Sequence, residues 1–132
     1  MTEISGVIFP IPLKPLQRIL NKERDVFFKF SRMNKLKPGM TLHFYSTFHK
    51  KILGEAKIVE VENLNVSKMI EKYKYRIFLE PDEIRIYCSF GSKWRSKPRS
   101  NSVLVLILEN IQKYDTYKNA SNRVNVSGFY IK

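Results

Sequence analysis

Between Ile52 and Glu62 the apolar residues alternate as on a strand, but the alternation changes phase. Ala56 and Ile58 fall on one parity, Val59 and Val61 on the other. Strand side chains repeat every two residues, so one uninterrupted strand cannot send both pairs into the same core. A bulge or bend near Ile58-Val59 resolves the conflict, and bent strands of this kind let small barrels curl toward closure. The stretch before it reads as the other arm of a hairpin. Lys37-Pro38-Gly39 suits a type II turn, with proline presetting φ and glycine supplying the positive φ that follows. Thr41 to Thr47 then alternates, with Leu42 and Phe44 on one face and His43 and Tyr45 on the other. A basic tip, His49-Lys50-Lys51, returns the chain into the bent strand.

The rest of the chain supplies elements to complete such a barrel. Ile4 to Pro12 is strand-like and is expected to stop at Pro10 and Pro12, which cannot donate to a ladder. Pro15 suits the first position of a short helix carrying Leu16, Ile19 and Leu20 at helical spacing and ending near Asn21. Asp25 to Ser31 returns to strand, with Val26, Phe28 and Phe30 on one face and Phe27, Lys29 and Ser31 on the other. Asn65 can cap a second helix whose stripe is Val66, Met69, Ile70 and Tyr73, leaving Lys68 and Lys72 on a solvated face. Glu80-Pro81-Asp82-Glu83 looks like a third helix start, with Ile84, Tyr87 and Cys88 at helical spacing and Gly91 to end it. A strand through Ile84 to Tyr87 is its rival. Val103 to Leu108 is uniformly apolar, as a strand buried on both faces would be, and Lys113 to Asn122 reads as a polar connection. Val124 to Ile131 gives the last strand.

At 132 residues the chain is expected to form one domain, able to bury a core without disulfide or metal staples. The lone Cys88 has no internal partner. With no signal-like N-terminus and no membrane-length apolar run, a cytoplasmic location is expected. Charge says more. Lysine and arginine number 24 against 12 acids, a net of +12, which points to a polyanionic partner, nucleic acid before membrane. The positive charge is clustered. If Lys93 to Arg99 is extended, Lys93, Arg95, Lys97 and Arg99 share one edge, placed to grip phosphates, and Trp94 on the other side offers a ring for an unpaired base. A mobile basic loop with Trp94 anchored in the core is the plainer alternative.

The order of elements resembles the PUA-like β-barrels, in particular the ASCH-type branch and its small archaeal relatives. Ile4 to Pro12 with the Pro15 helix is similar to the family's opening. LKPGMTLHFYS and ILGEAKIVEVE are similar to its turn-and-strand and return strand, and VLVLILENIQKY with VSGFYIK to its closing pair. The resemblance implies an α+β fold, a small barrel of about six strands with two to three short helices outside. It also implies a cleft beside the first helix and RNA as ligand, with Arg24, Lys29 and Tyr45 brought together around that cleft. ASCH-type sequences often carry Gly-x-Lys-x-x-Glu-x-Arg at the entry to the second strand. Aligning its last basic residue with Lys29 puts Lys22, Arg24 and Phe27 at the other places, so the charge partly survives and the glutamate does not. Some members hydrolyse acetylated cytidine with a lysine and a carboxylate, or cut RNA. An arginine stays protonated and cannot act there as base or nucleophile.

Independent catalytic signals are few. His43 and His49 are the only histidines, and no P-loop, HExxH or paired CxxC pattern occurs. His43 reads more readily as a strand residue satisfied by a neighbour than as a general base. Glu55, Glu60 and Glu62 could supply a carboxylate, but strand ion pairs explain them equally well, and Cys88 reads more readily as packing than as a nucleophile. The expectation is therefore an RNA-binding module without metal or cofactor. Its contacts would come from Arg24, Lys29, Tyr45, Lys50, Lys51, Lys93, Trp94, Arg95, Lys97 and Arg99. A hydrolase acting on RNA or a modified nucleoside is the alternative.

Overall fold

The phase change at Ile58 is a β-bulge. Ile58 pairs with Leu108 and Glu60 with Ile107, so Val59 is the extra residue on its strand. Val59 accordingly turns outward, whereas Ile58 is fully buried and Val61 packs against the core. The computed structural model describes residues 5–29, 35–86 and 102–119, and the backbone of 129–131. Their strands are β1 (Gly6–Ile11), β2 (Val26–Lys29), β3 (Thr41–Ser46), β4 (Lys51–Asn65), β5 (Ser102–Lys118) and β6 (Phe129–Ile131). They form a single sheet in the order β2-β5-β4-β3-β1-β6. The expected α+β architecture is thus the one adopted: a curled half-barrel with short helices packed on it.

Three further register shifts add curvature. Leu53 is the extra residue opposite the Phe44–Tyr45 step of β3. On β5 the ladder slips between Glu55 and Lys57 of its partner, next to Asn110, whose φ of +50 lies in the left-handed region that asparagine tolerates. A third slip lies between Ile52 and Gly54. Gly54 sits where two strands and a helix crowd. An added Cβ would stand 2.3 Å from the Gln112 carbonyl oxygen and 2.9 Å from Leu20 Cδ2. At the hairpin entrance Gly39 has φ +97, and the Met40 N–H donates to the Lys37 carbonyl, closing the expected turn.

Several boundaries differ from expectation for local reasons. β1 runs through Pro10 to Ile11. Ser5 and Ile11 use their carbonyls toward β3, so even-numbered Pro10 turns its missing N–H to the other side, two residues past the described pairing with β6. Helix α1 spans Leu13–Leu20 and puts Pro15 third rather than first. The first helical bond runs from the Leu16 N–H to the Pro12 carbonyl, so the proline forfeits no donor. The left-handed residue at its end is Lys22 (φ 63), not Asn21. Residues 113–118, expected as a polar connection, extend β5 along the first half of β4. There Lys113 and Lys118 are the register partners of Gly54 and Ile52, and 114–117 form a wide bulge between them.

Helix α2 (Val66–Tyr73) is capped as expected, Asn65 Oδ1 accepting from the Lys68 N–H at 2.7 Å. It buries Met69 and Tyr73 but leaves Ile70 exposed. Lys72 is not merely solvated, since its ammonium pairs with Glu62 at 2.9 Å. A 3-10 turn, Lys74–Arg76, follows. Residues 81–86 are helical, so among described residues the helix prevails over the rival strand. The Glu83 carboxylate accepts from the Glu80 N–H at 2.7 Å, which caps that start. Phe30, Tyr87, Cys88, Gly91 and the Val124–Gly128 part of the last strand lie outside the described residues.

Strand β5 is buried on both faces over Val103 to Leu108, as expected. Its side chains join one core cluster with Phe9, Phe27, Phe44 and Ile58, with Leu16, Ile19 and Leu20 of α1, with Met69 of α2, and with Ile77, Phe78 and Ile84. Among described residues no helix is long and apolar enough to cross a membrane.

Candidate functional site

Edge strand β2 approaches β1, the neighbour of the other edge strand β6, without a described ladder, and there a cleft forms. β1 and β2 are joined by α1 and face each other through side chains, Phe9 against Phe27 with ring centroids 5.4 Å apart. The strip after the 3-10 turn covers the start of the free β2 edge, where the Phe78 N–H donates to the Val26 carbonyl at 2.9 Å. Beyond that point the edge opens into a cleft of about 270 Å³, lined by Pro10, Ile11 and Pro12 of β1 and its exit, Phe27, Phe28 and Lys29 of β2, Thr47 of the hairpin, and Phe78 and Leu79. Of the first helix it meets the N-cap residue Pro12 alone among its lining residues.

The walls are apolar, and Lys29 stands among them. It shares the inward face with Phe27, is only 8% exposed, and holds its Nζ 5.3 Å from the Phe9 ring centroid. Burial pushes its pKa down to about 8. Among the described residues no carboxylate pairs with it. A cation over an aromatic face recovers part of its lost hydration, but not what an anion would return. Both faces of β2 are covered: Val26, Phe27 and Phe28 are as buried as Lys29.

Arg24 and Tyr45 do not join it. The Arg24 guanidinium donates to the Ile77 carbonyl at 2.9 Å and to Glu80 at 2.6 Å. Arg18 does the same one turn away, donating to the Phe78 carbonyl at 3.0 Å and gripping Glu83 with two nitrogens. This guanidinium holds the Glu83 carboxyl below the usual carboxylate range. Together the two arginines fix the strip bearing Phe78 and Leu79, so they position a cleft wall and do not face the cleft. Tyr45 is half-buried on the opposite face of β3, beside Pro10. The adjacent outer-face group is His43, Glu55 and Tyr114. The Tyr114 hydroxyl donates to Glu55 at 2.6 Å, and burial with that bond raises its pKa. Burial lowers the pKa of His43, Glu55 acting against the shift and Lys118 with it.

Lys50 and Lys51 are exposed at the hairpin tip, as expected. Lys93, Trp94, Arg95, Lys97 and Arg99 lie outside the described residues. Sequence reasoning missed Phe48, 73% exposed in the same turn. It also missed Tyr117 and Lys118, which the polar-connection reading of 113–122 hid. Their signal was the pair of tyrosines at 114 and 117 in an otherwise polar run.

The family described as "Domain of unknown function (DUF365)" matches residues 4–132. An uncharacterised protein of Methanocaldococcus jannaschii is 35% identical over 97 residues, covering 70% of this chain and 90% of that protein. Among solved structures, ASCH from Zymomonas mobilis superposes with a TM-score of 0.77 at 14% identity, over 97% of this chain and 88% of that one. The N-terminal domain of Staphylothermus marinus McrB superposes with a TM-score of 0.51 at 14% identity, over 90% and 81%. At these identities the likeness is one of fold, and the fold is that of the ASCH-type, PUA-like barrels.

Proposed function

This chain belongs to the DUF365 family, and from that premise and the geometry of its cleft we propose that it binds single-stranded nucleic acid, RNA before DNA. One base enters between the ends of β1 and β2 against Phe27, Phe28 and Phe78, and Lys29 meets the negative edge of that nucleotide. Lysines elsewhere on the surface follow the phosphate backbone. The observation that carries this reading is the state of Lys29. An ammonium held in an aromatic cleft, with no described carboxylate beside it, loses hydration that only an incoming anion or acceptor restores. The cleft is too small to admit a duplex, whereas an unstacked base fits such a space. The net charge of +12 favours a polyanion over a neutral metabolite, and the ASCH-type resemblance favours RNA.

The experiment is binding of a labelled single-stranded oligoribonucleotide to the wild type and to Lys29→Met, which keeps the stem and removes the charge. Weaker binding by a folded Lys29→Met supports the reading; equal binding removes the cleft from it.

The pKa of about 8 favours a second reading. A lysine with that pKa is partly neutral near physiological pH and can serve as base or nucleophile. In this reading the bound nucleoside carries an acyl group or a scissile phosphodiester. Turnover of acetylated cytidine or RNA that disappears in Lys29→Met would establish the hydrolase.

A further inference from the structure

Thr47 lines the cleft at the hairpin. The next residue, Phe48, presents its ring to solvent and stands edge-on to His49, with centroids 5.1 Å apart at 79°. His49 in turn meets Tyr117 of β5 edge-on at 5.2 Å and 70°. The pose of this row is set from below. The fully buried Ser46 Oγ accepts the backbone N–H of His49 at 3.1 Å and lies 3.0 Å from His49 Nδ1. Lys50 and Lys51 follow directly in sequence and are exposed. Lys118 is the register partner of Ile52 on the neighbouring strand, its Nζ 4.4 Å from the Tyr114 ring centroid.

We propose that the Phe48–His49–Tyr117 row is a second nucleotide subsite, a stacking platform for the base next to the one in the cleft, with Lys50, Lys51 and Lys118 on its phosphates. The proposal rests on the single-stranded nucleic-acid reading and extends its footprint from one nucleotide to at least two. A large ring held in the open on a tight turn gains nothing from the core. Rings beside mobile cations are what a sequence-tolerant single-strand site uses, because every base has a stacking face. Thr47 belongs to the cleft and Phe48 is its neighbour, so a single backbone step joins the two subsites.

The test uses the full chain, a labelled oligouridylate of about eight nucleotides, within the footprint of such sites, and uridine 5′-monophosphate as the one-nucleotide probe. Phe48→Ala is expected to weaken oligouridylate binding between about fivefold and a hundredfold, with Phe48→Trp restoring it. Binding of the mononucleotide, which needs only the cleft, should be unchanged in Phe48→Ala and reduced in Lys29→Met. Oligouridylate binding equal in Phe48→Ala and wild type would overturn the platform and leave the cleft reading standing. A wild type that fails to bind oligouridylate would overturn both. Phe48 is exposed, so its replacement leaves the fold intact, and an unchanged thermal midpoint verifies this.

Discussion

The wall that β4 and β5 build and the seam where β1 approaches β2 use apolar residues to different ends. Along the wall a backbone ladder runs from Ile52–Lys118 to Asn65–Ser102, and Ile58 and Leu108 fill the interior behind it. Its bulges bend the ladder, the widest lying at 114–117 of β5. At the seam no described ladder joins β1 to β2, and the gap is filled by rings: Phe9 on Phe27, and Phe27 on Phe78 at 4.8 Å. A ladder satisfies every backbone group it touches and leaves no room for a ligand. Ring contacts leave space, and here that space surrounds a buried ammonium. The wall therefore carries stability and the seam carries the proposed binding, and substitutions on the two sides should have opposite signatures.

The largest expected effect is on the wall. Ile58→Ala removes a fully buried side chain beside the bulge and should lower stability by about 2–5 kcal/mol, read from the denaturant midpoint. RNA affinity of the folded protein should stay the same. A loss well under 1 kcal/mol would break the contrast from this side.

At the seam the sign reverses. Lys29 has its pKa lowered from 10.5 to about 8 by burial, so the fold opposes its charge. Below pH 8 both folded and unfolded chains carry the proton, and the handicap is fully present. As pH rises from about 8 toward the ordinary lysine range the folded state sheds its proton first, and wild-type stability should climb. Lys29→Met should be the more stable protein at neutral pH, by up to about 3 kcal/mol, and should not climb over that interval. A destabilised Lys29→Met would mean the ammonium has a stabilising partner.

The strip that walls the cleft gives a smaller effect. Glu83→Gln weakens the grip of Arg18 and should cost about 1–2 kcal/mol. The Glu83 pKa is depressed in the folded state, so its contribution is present above the ordinary carboxylate range and lost as pH falls. Wild type and variant should therefore converge in acid urea titrations. Failure to converge would assign the loss to packing.

Smallest in energy is the hairpin tip. Changing Lys50 and Lys51 to Ser should leave the thermal midpoint where it is and flatten the dependence of log affinity on log salt by roughly 0.7 per lost contact. Tyr45→Phe, facing away from the cleft, should alter neither.

Local chemistry made much of this legible from sequence. The turn at Gly39, the bulge at Ile58, the Asn65 cap and the two-sided burial of Val103 to Leu108 each follow from neighbours in the chain. The parallel pairing of β1 with β3 does not, because it joins segments that no local pattern relates. Residues 113–118 look like a loop because only Lys113 and Lys118 at their ends are register partners of β4, with a wide bulge between. Arg24 and Lys29 read alike as basic residues entering one strand. The difference between them comes from Glu80 and the Ile77 carbonyl, more than fifty positions away. Phe48 is inconspicuous in sequence, since a single phenylalanine in a turn is ordinarily packed, and only its exposure marks it.

The central claim, that a buried ammonium without a carboxylate partner among the described residues binds the nucleic acid at the seam, is tested most directly by oligouridylate affinity measured across pH in the wild type and Lys29→Met. The account predicts that wild-type affinity holds at neutral pH and declines as pH passes the Lys29 titration near about 8. The variant should bind more weakly and show no inflection there. Superimposable pH profiles for the two proteins would contradict it.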